Sequence, residues 1–177
     1  MEFIKLKEEH LEIVYKWRRA PHVTQFMYSD ISEDYNKHLQ WYQTTLNDSH
    51  NKYWMIKSKD SLIGLISLNR MDTVHRHATF GYYIGDTNFN IIGGRIHPYL
   101  YNYAFNTLGL HKLFAEVMEG NTNMCKMHTI YGFREVGVYK EHIYKYEKYH
   151  DVTIFELLAE DWKKNHKYQR YVAEFEK

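Results

Sequence analysis

The chain has 177 residues, enough for one domain with a buried core, and 23 Lys and Arg nearly balance 22 Asp and Glu. Without a basic stripe or an acidic tail, nucleic acid and membrane surfaces are not expected partners. The single cysteine, Cys125, excludes an internal disulfide, and no apolar run approaches the roughly 20 residues of a membrane span or forms a signal peptide, so we expect a cytoplasmic protein.

The first part of the chain predicts one strand and two helices. The segment EFIKLK alternates apolar and charged residues, as a half-buried strand does. A helix follows in EEHLEIVYKWRRAP, whose apolar residues recur at helical spacing before Pro21 ends the run. A second helix begins near Ser32, a candidate N-cap, and continues through NKHLQWYQTTL.

The rest of the chain alternates strands and helices. Three strand-like segments come first, namely KYWMIK, SLIGLISLNR and ATFGYYIG, with a turn at Lys59-Asp60 between the first two. Next come a helix in GGRIHPYLYNYAFNTL, a buried strand in KLFAEVME, a helix in NTNMCKMHTIYGF and a long closing hairpin. The order β-α-α-β-β-β-α-β-α-β-β predicts an α/β (α+β) fold, a mixed central sheet of about seven strands flanked by helices.

The domain organisation predicted from the sequence is simple. No repeat, low-complexity tract or linker rich in proline and glycine divides the chain. We therefore expect a single domain over residues 1–162. Residues 163–177 are rich in charge and are predicted to form a helical C-terminal tail.

The local arrangement most suited to an anion is a strand, then Gly93-Gly94-Arg95, then a helix. A helix N-terminus presents unpaired N–H groups, and glycines let the backbone approach a phosphate closely. Arg95 could add a positive charge. An ordinary glycine turn explains the same residues, and IIGGRI lacks the glycine spacing of a Walker loop or a dinucleotide fingerprint. From these residues alone both interpretations stay open.

Several stretches together resemble the GNAT superfamily of N-acetyltransferases. They are ATFGYYI, the glycine turn, YAFNTLGLHKL, FAEV and the pattern Asn-x-x-Met-x-x-Met-His-x-x-x-Gly-Phe that begins at Asn121. The closing hairpin resembles the branch that includes ribosomal-protein N-terminal acetyltransferases. WRRAPHVTQFMYSDIS, HLQWY, NIIGGRI and EVMEGN are similar to the aminosugar acetyltransferases of pseudaminic acid biosynthesis. The resemblance covers about residues 3–162.

The resemblance implies direct transfer of the acetyl group of acetyl-CoA to the 4-amino group of UDP-4-amino-4,6-dideoxy-N-acetyl-β-L-altrosamine, a nucleotide sugar that leads to glycans on flagellin or other surface proteins. Two alternatives stay open: a ribosomal-protein-type N-terminal acetyltransferase, and a non-catalytic module that binds acetyl-CoA. No metal is expected, since His75 and His77 have no third ligand near them in the sequence. The long closing hairpin also suggests a homodimer.

The cofactor residues are assigned by resemblance. The FGYYI strand would place backbone groups along the pantetheine arm, and the glycine turn would hold the pyrophosphate through backbone N–H groups. The residues so assigned are Tyr82, Tyr83, Ile84, Ile92, Gly93, Gly94, Arg95, Ile96 and Asn121. The chain departs from the usual turn of the superfamily, with Asn88 and Ile91 in place of a basic residue and a glycine. Pro98 is expected to kink or shorten the following helix.

Two residues are assigned to catalysis. His128 falls where many superfamily members carry a tyrosine near the thioester sulfur, so the resemblance implies a general acid that protonates the departing CoA thiolate. As a bare helical histidine it would instead be read as structural. Glu116, on the preceding strand, would hold the acceptor amine or accept its proton through water. A surface carboxylate paired with Lys112 explains Glu116 equally well.

The acceptor site is expected to form mainly around WRRAPHVTQFMYS. The residues assigned to it are Arg18, Met27, Tyr28, Ser29, Tyr83 and Glu116. Arg18 could bind a phosphate bidentately, while Met27 and Tyr28 would give an apolar wall for a 6-deoxy methyl group. Ordinary core packing is the alternative for Met27 and Tyr28.

Overall fold

A computed structural model describes residues 1–175 and shows one seven-stranded sheet in the order β1-β2-β3-β4-β5-β7-β6. Its strands are β1 (Glu2–Lys5), β2 (Lys52–Ser58), β3 (Ser61–Asp72), β4 (His77–Ile84), β5 (Lys112–Met118), β6 (Arg134–Lys145) and β7 (Lys148–Leu158). Neighbouring strands are antiparallel except β4 and β5, which are parallel. The predicted α/β fold with a mixed sheet of seven strands is confirmed.

Helices cover both faces of the sheet and create two cores. They are α1 (Leu11–Arg19), α2 (Pro21–Thr24), α3 (Tyr35–Leu46), α4 (His97–Asn102), α5 (Thr122–Ile130) and α6 (Ala159–Lys164). Successive strand residues face opposite sides, so Trp54 joins the larger core while Met55 joins the smaller core beneath α1 and α3. No helix within residues 1–175 is long and apolar enough to cross a membrane.

The sheet is split at its centre. Strands β4 and β5 pair at His77 with Lys112, at Ala78 with Leu113 and at Thr79 with Phe114, and no later pair joins them in the described chain. Each strand keeps its other neighbour, since β4 stays paired with β3 to Ile84 and β5 stays paired with β7 to Met118. The far halves of β4 and β5 therefore diverge, each with one open backbone edge.

One predicted helix start differs from the observed one, and one short helix was not predicted. Helix α3 begins at Tyr35, and the carboxylate of Asp34 caps it by accepting a hydrogen bond from the Asn36 N–H at 2.9 Å. Ser32, the predicted N-cap, instead accepts from the Asp34 N–H at 3.2 Å. Pro21 ends α1 as predicted and also opens α2, because proline is favourable in the first turn of a helix.

The predicted helix after the glycine pair is divided into three pieces. The chain forms a 3-10 helix over Thr87–Arg95, then α4, then a π-helical turn over Tyr103–Thr107. Pro98 lies in the first turn of α4, where a missing N–H is harmless, and α4 is a short helix of six residues. The glycines thus lie inside a 3-10 segment and not at the start of a long α-helix.

The prediction of a charged helical tail beyond residue 162 is wrong for the residues described. Helix α6 ends at Lys164, a 3-10 turn spans His166–Tyr168, and no helix follows up to residue 175. Phe175 is 1% exposed and stacks on Phe3, with ring centroids 4.2 Å apart. Burial of these aromatic rings outweighs helix propensity, so the domain core extends beyond residue 162. Residues 176–177 of the predicted tail lie outside the described residues.

Candidate active site

A cleft of about 540 Å³ opens where β4 and β5 diverge. We name it the central cleft. Among the residues assigned from the sequence, those that line it are Met27, Tyr82, Tyr83, Ile84, Gly93, Gly94, Glu116, Asn121 and His128. The open edges of the two strands can hydrogen-bond an extended chain in the manner of an added strand. The amide-containing pantetheine arm of acetyl-CoA has that shape and chemistry, so the cleft fits this cofactor.

The glycine pair lies on one wall of the central cleft. A Cβ atom on Gly93 would lie 3.2 Å from Cγ1 of Ile84, and one on Gly94 would lie 3.1 Å from Cε of Met127. Such distances leave little room for a side chain, because both glycines pack closely against β4 and α5. Packing therefore accounts for the pair, and a pyrophosphate contact stays a prediction.

The other turn residues assigned to the cofactor face elsewhere. Ile96 is fully buried, and its N–H donates to the carbonyl of Gly93 at 3.2 Å, so this amide is not free for a phosphate. Ile92 packs partly buried against the larger core, and the side chain of Arg95 is exposed. Contacts from the backbones of Ile92 and Arg95 stay predictions.

Asn121 lies at the cleft as the cap of a helix. Its Oδ1 accepts the N–H of Met124 at 3.4 Å and so caps α5. The cap explains why an asparagine opens this helix and fixes the side chain beside the cleft. A contact from Asn121 to the cofactor arm stays a prediction.

His128 projects from α5 into an aromatic environment and is only 2% exposed. Its ring lies 4.9 Å from Phe133 and 5.3 Å from Phe155, measured between centroids. Burial lowers the pKa of His128 to about 4, because the charged imidazolium loses its hydration. At neutral pH the side chain is therefore neutral, and it acts as a hydrogen-bond donor more readily than as a charged acid.

A second buried histidine lies beside His128. His97 is fully buried, its ring centroid is 6.3 Å from that of His128, and neither ring nitrogen has a hydrogen-bond partner within residues 1–175. Burial, with a smaller contribution from His128, lowers the pKa of His97 to about 3. The sequence analysis placed His97 on a helix but did not assign it to the site, because the residues next to it in the sequence do not indicate that its side chain is completely buried.

Glu116 is held by two partners across the central cleft. One oxygen accepts a hydrogen bond from the Tyr28 hydroxyl at 3.0 Å, and the other pairs with Nη2 of Arg70 at 2.7 Å. Lys112, considered as a partner from the sequence, pairs instead with Glu156 at 3.4 Å. The bond from Tyr28 to Glu116 joins the loop after α2 to β5 across the split.

A second cavity, of about 460 Å³, lies against β4 and is named here the side cavity. It shares residues 81–83 and Met27 with the central cleft, so the two spaces meet along β4. The polar and aromatic residues lining it include Arg18, Ser29, Lys37, Trp41, Ser67 and Asn69. The side cavity thus brings Arg18, Ser29, Tyr83 and Met27 together, with Tyr28 reaching Glu116 alongside, and their contact with an acceptor stays a prediction.

Arg18 dominates the electrostatics of the side cavity. Its Nη2 donates to the carbonyl of Ser29 at 3.2 Å, whereas its Nη1 is buried and has no hydrogen-bond partner in the described chain. Burial lowers the pKa of Arg18, yet arginine stays protonated in proteins. Asp30 is the acidic residue in the lining, and Lys145 already pairs with it at 2.8 Å. The side cavity is therefore suited to an anionic group.

Some residues of this site were not singled out in the sequence. Ser67 and Asn69 alternate with apolar residues in β3, so the period of two was a readable sign that both face one side. Ser67 donates to Asn69 at 2.7 Å, and Asn69 donates to the Tyr53 hydroxyl at 3.3 Å. Arg70 left no comparable sign, because its left-handed backbone, with φ 50°, and its reach to Glu116 depend on the fold.

Comparison with known proteins agrees with this geometry. The sequence model of the acetyltransferase (GNAT) domain family matches residues 1–134. The acetyltransferase PseH of Campylobacter jejuni is 28% identical over 126 residues, which are 71% of this chain and 78% of that protein. The putative ribosomal N-acetyltransferase YdaF of Bacillus subtilis is 32% identical over 104 residues, which are 58% of this chain and 56% of that protein.

The fold also has a close structural counterpart. A crystal structure of spermidine N-acetyltransferase from Vibrio cholerae in complex with CoA and spermine superposes with a TM-score of 0.84. The match covers 91% of this chain and 96% of the other at 20% sequence identity. Within residues 1–175, no group of three or more His, Cys, Asp or Glu side chains is placed to hold a metal ion.

Proposed function

The chain belongs to the acetyltransferase (GNAT) domain family and is an acetyl-CoA-dependent N-acetyltransferase, and we propose that its acceptor is a nucleotide-linked aminosugar. The substrate we name is UDP-4-amino-4,6-dideoxy-N-acetyl-β-L-altrosamine, acetylated on its 4-amino group during pseudaminic acid biosynthesis. The observation that carries this proposal is the buried, unpartnered Nη1 of Arg18 in the side cavity.

A buried, charged N–H group without an acceptor, such as Nη1 of Arg18, is costly unless a ligand supplies one. The pyrophosphate of a nucleotide sugar carries negative charge, and its oxygens can accept two parallel hydrogen bonds from the N–H groups of an arginine. Lys37 adds a second cation to the same lining, and Trp41 offers an aromatic surface. The similarity to PseH supports the same class of acceptor.

Two other acceptors fit the cavity less well. A polyamine, as in the Vibrio cholerae enzyme, and a peptide N-terminus are both cations and require free carboxylates. Asp30 is the acidic side chain in the lining of the side cavity, and Lys145 and the Thr24 hydroxyl already hold it, at 2.8 and 2.6 Å. The charge of the side cavity therefore favours the nucleotide sugar over both.

The residues of the site would act mainly by orientation. When bound in the central cleft, acetyl-CoA supplies the acetyl thioester that the acceptor amine attacks. Glu116, held by Tyr28 and Arg70, would fix the amine and receive its proton through water. His128 would donate a hydrogen bond to the departing sulfur from its neutral ring. Met27, which lines both cavities, would exclude water where the two substrates meet.

We also propose that copies of the chain associate through the outer strand β6. Several apolar side chains on its exposed surface lie 42% to 63% open to solvent, namely Val136, Val138, Tyr139 and Tyr144. Such a surface on an edge strand favours pairing with another copy. Sedimentation of the purified protein should show a dimer or a larger assembly, and a monomer at all concentrations would contradict the proposal.

Free-thiol release from acetyl-CoA tests the acceptor directly. The nucleotide aminosugar, spermidine and a basic peptide with a free N-terminus are offered separately at equal concentrations. We expect release with the sugar alone and a product carrying one acetyl group on the former amine. Release with spermidine or with the peptide would overturn the proposed acceptor. Acetyl-CoA binding without release for any of the three would overturn the proposed acceptor as well.

A further inference from the structure

Lys145, at the end of β6, is a buried lysine, only 6% exposed. Its Nζ donates to the backbone carbonyls of Thr24 and Met27, each at 2.8 Å, and pairs with Oδ1 of Asp30 at 2.8 Å. An ammonium group carries three N–H donors, so these three oxygens satisfy all of them. This saturation offsets the cost of removing the charge from water.

The three oxygens all belong to residues 24–30, which we name the acceptor segment. Most of its residues reach the site: Met27 lines both cavities, Tyr28 bonds to Glu116 at 3.0 Å, and the Ser29 carbonyl accepts from Arg18 at 3.2 Å. Beyond Thr24, where α2 ends, the segment contains no helix or strand. Its position therefore depends on contacts with the rest of the fold, and those to Lys145 are the shortest to its backbone.

The backbone of Lys145 is itself held in place. His150, across the hairpin, donates from Nε2 to the carbonyl of Lys145 at 2.9 Å and is 6% exposed. Its Nδ1 lies 3.4 Å from a carboxylate oxygen of Glu119, which follows β5. The end of the hairpin thus links the acceptor segment to the end of the strand that carries Glu116.

We propose that Lys145 is a positioning residue that holds the acceptor segment against the reacting centre and so sets the affinity for the acceptor. Lys145 lines neither cavity and acts through Met27 and Tyr28. The link to acceptor affinity rests on the proposed function, since it places the acceptor in the side cavity. The link to the order of the acceptor segment does not rest on it.

A matched control lies on the same strand. Lys140 pairs with Asp151 at 2.7 Å, but its side chain is 77% exposed and contacts no part of the acceptor segment. Lys140→Met and Lys145→Met each remove one ammonium group and one ion pair of similar length from β6. A surface pair contributes little to stability, so Lys140→Met should behave as the wild type.

The experiment combines hydrogen–deuterium exchange with steady-state kinetics on the full chain. For Lys145→Met we expect amide exchange in residues 24–30 to rise at least about tenfold, because the two carbonyls and the carboxylate lose their shared donor. The KM for the acceptor should rise about tenfold, while the KM for acetyl-CoA stays within about twofold of the wild type. Lys145→Arg, which keeps the charge without three diverging donors, should be intermediate and serves if Lys145→Met does not fold.

Each outcome decides a different point. Unchanged exchange in residues 24–30 would overturn the proposal, and so would faster exchange with an unchanged acceptor KM. Kinetics are measured with whichever of the nucleotide sugar, spermidine or peptide the wild type acetylates. If it acetylates spermidine or the peptide, the proposed acceptor fails, yet exchange and the KM for the true acceptor still test Lys145. If it acetylates none of the three, unchanged exchange overturns the proposal and faster exchange supports it.

Discussion

The two cavities that meet along β4 are built by opposite physical means. At the central cleft two buried histidines are neutral, because their aromatic surroundings exclude water: burial lowers the pKa of His128, in the cleft wall, to about 4 and that of His97, behind it, to about 3. In the side cavity a charge persists, because Arg18 stays protonated although its Nη1 has no partner in the described residues. One scaffold thus holds neutral histidines beside the central cleft, which we propose for the thioester, and a cationic side chain in the side cavity, which we propose for the acceptor.

The largest effect is expected in the central cleft. His128→Phe keeps an aromatic ring that suits the apolar surroundings but removes the ring N–H that would donate to the departing sulfur. We therefore expect kcat to fall about 10²-fold, the lower end of the effect of groups that assist proton transfer. Because His128 is neutral, kcat of the wild type should show no inflection from this group between pH 6 and 8. Stopped-flow thiol release against pH measures both quantities.

The control for that prediction is His142→Phe, which changes an exposed histidine on β6 and should leave kcat unaltered. An inflection near pH 6.5 that disappears in His128→Phe would mean that the ring ionises during turnover. In that case burial would not determine protonation in the central cleft, and the contrast with the side cavity would fail.

A smaller effect is expected in the side cavity. Arg18→Met keeps an unbranched apolar stem and removes the charge, so kcat/KM for the acceptor should fall about tenfold, equivalent to about 1.4 kcal/mol, near the lower end for a charged hydrogen bond. Arg19→Met is the matched control, because Arg19 is half exposed and pairs with Glu33 at 3.0 Å on the surface. Equal losses in both variants would remove Arg18 from the acceptor site.

Acid should destabilise the fold through the central cleft. In the unfolded chain a histidine titrates near its ordinary pKa of 6.5, while His97 and His128 in the folded chain remain neutral to about pH 3 and 4. The unfolded state therefore gains protons first, and stability present above pH 6.5 is lost as the pH falls toward 4. Each histidine contributes about 1.4 kcal/mol per pH unit in that window.

Urea unfolding of the wild type at several pH values between 7 and 4.5 measures this loss. The variant His97→Gln should lose less stability per pH unit, by about 1.4 kcal/mol, whatever its absolute stability at pH 7. Parallel curves for the two proteins would show that His97 is not neutral when buried.

The smallest effect is expected at the glycine turn. Gly94→Ala would place a Cβ atom 3.1 Å from Cε of Met127, and because that methyl group ends a flexible side chain, the cost in stability should stay under about 1 kcal/mol. The added methyl group in the cleft wall should raise the KM for acetyl-CoA about threefold and leave the acceptor KM unchanged. Gly137→Ala, with no heavy atom within 4 Å of the added Cβ, is the control. If the acceptor KM changed more than the KM for acetyl-CoA, the assignment of this turn to cofactor binding would be contradicted.

Local patterns in the sequence were sufficient to predict most of the strands and helices and some of the residues of the candidate site. Alternation and helical spacing depend on neighbouring residues, so the seven strands and the helices carrying Arg18 and His128 were predictable. The N-cap at Asp34 in place of Ser32 shows where this fails, since two competing caps within three residues are separated by backbone geometry and not by residue type.

The conformation of the C-terminal tail and the partner of Glu116 could not be predicted from local sequence patterns. Residues 163–175 read as a charged helix, but Phe175 packs on Phe3 at the opposite end of the chain. Arg70, 46 residues before Glu116, replaces Lys112 as its partner because its side chain reaches across β4, where its Nε donates to the Thr79 hydroxyl at 3.4 Å. No pattern within one segment records such a contact.

The sequence by itself determined the order of strands and helices, the acetyltransferase motif with His128, and the candidate arginine of the acceptor site, because each depends on residue types at short spacing. The tertiary structure alone decided the divergence of β4 and β5, the neutrality of His97 and His128, and the engagement of Glu116. It also decided the hydrogen bonds from Lys145 to the acceptor segment, one of which goes to a carbonyl 121 residues away in the sequence. Burial and pairing of charges are properties of what surrounds a group in space, and folding brings those surroundings together from distant parts of the chain.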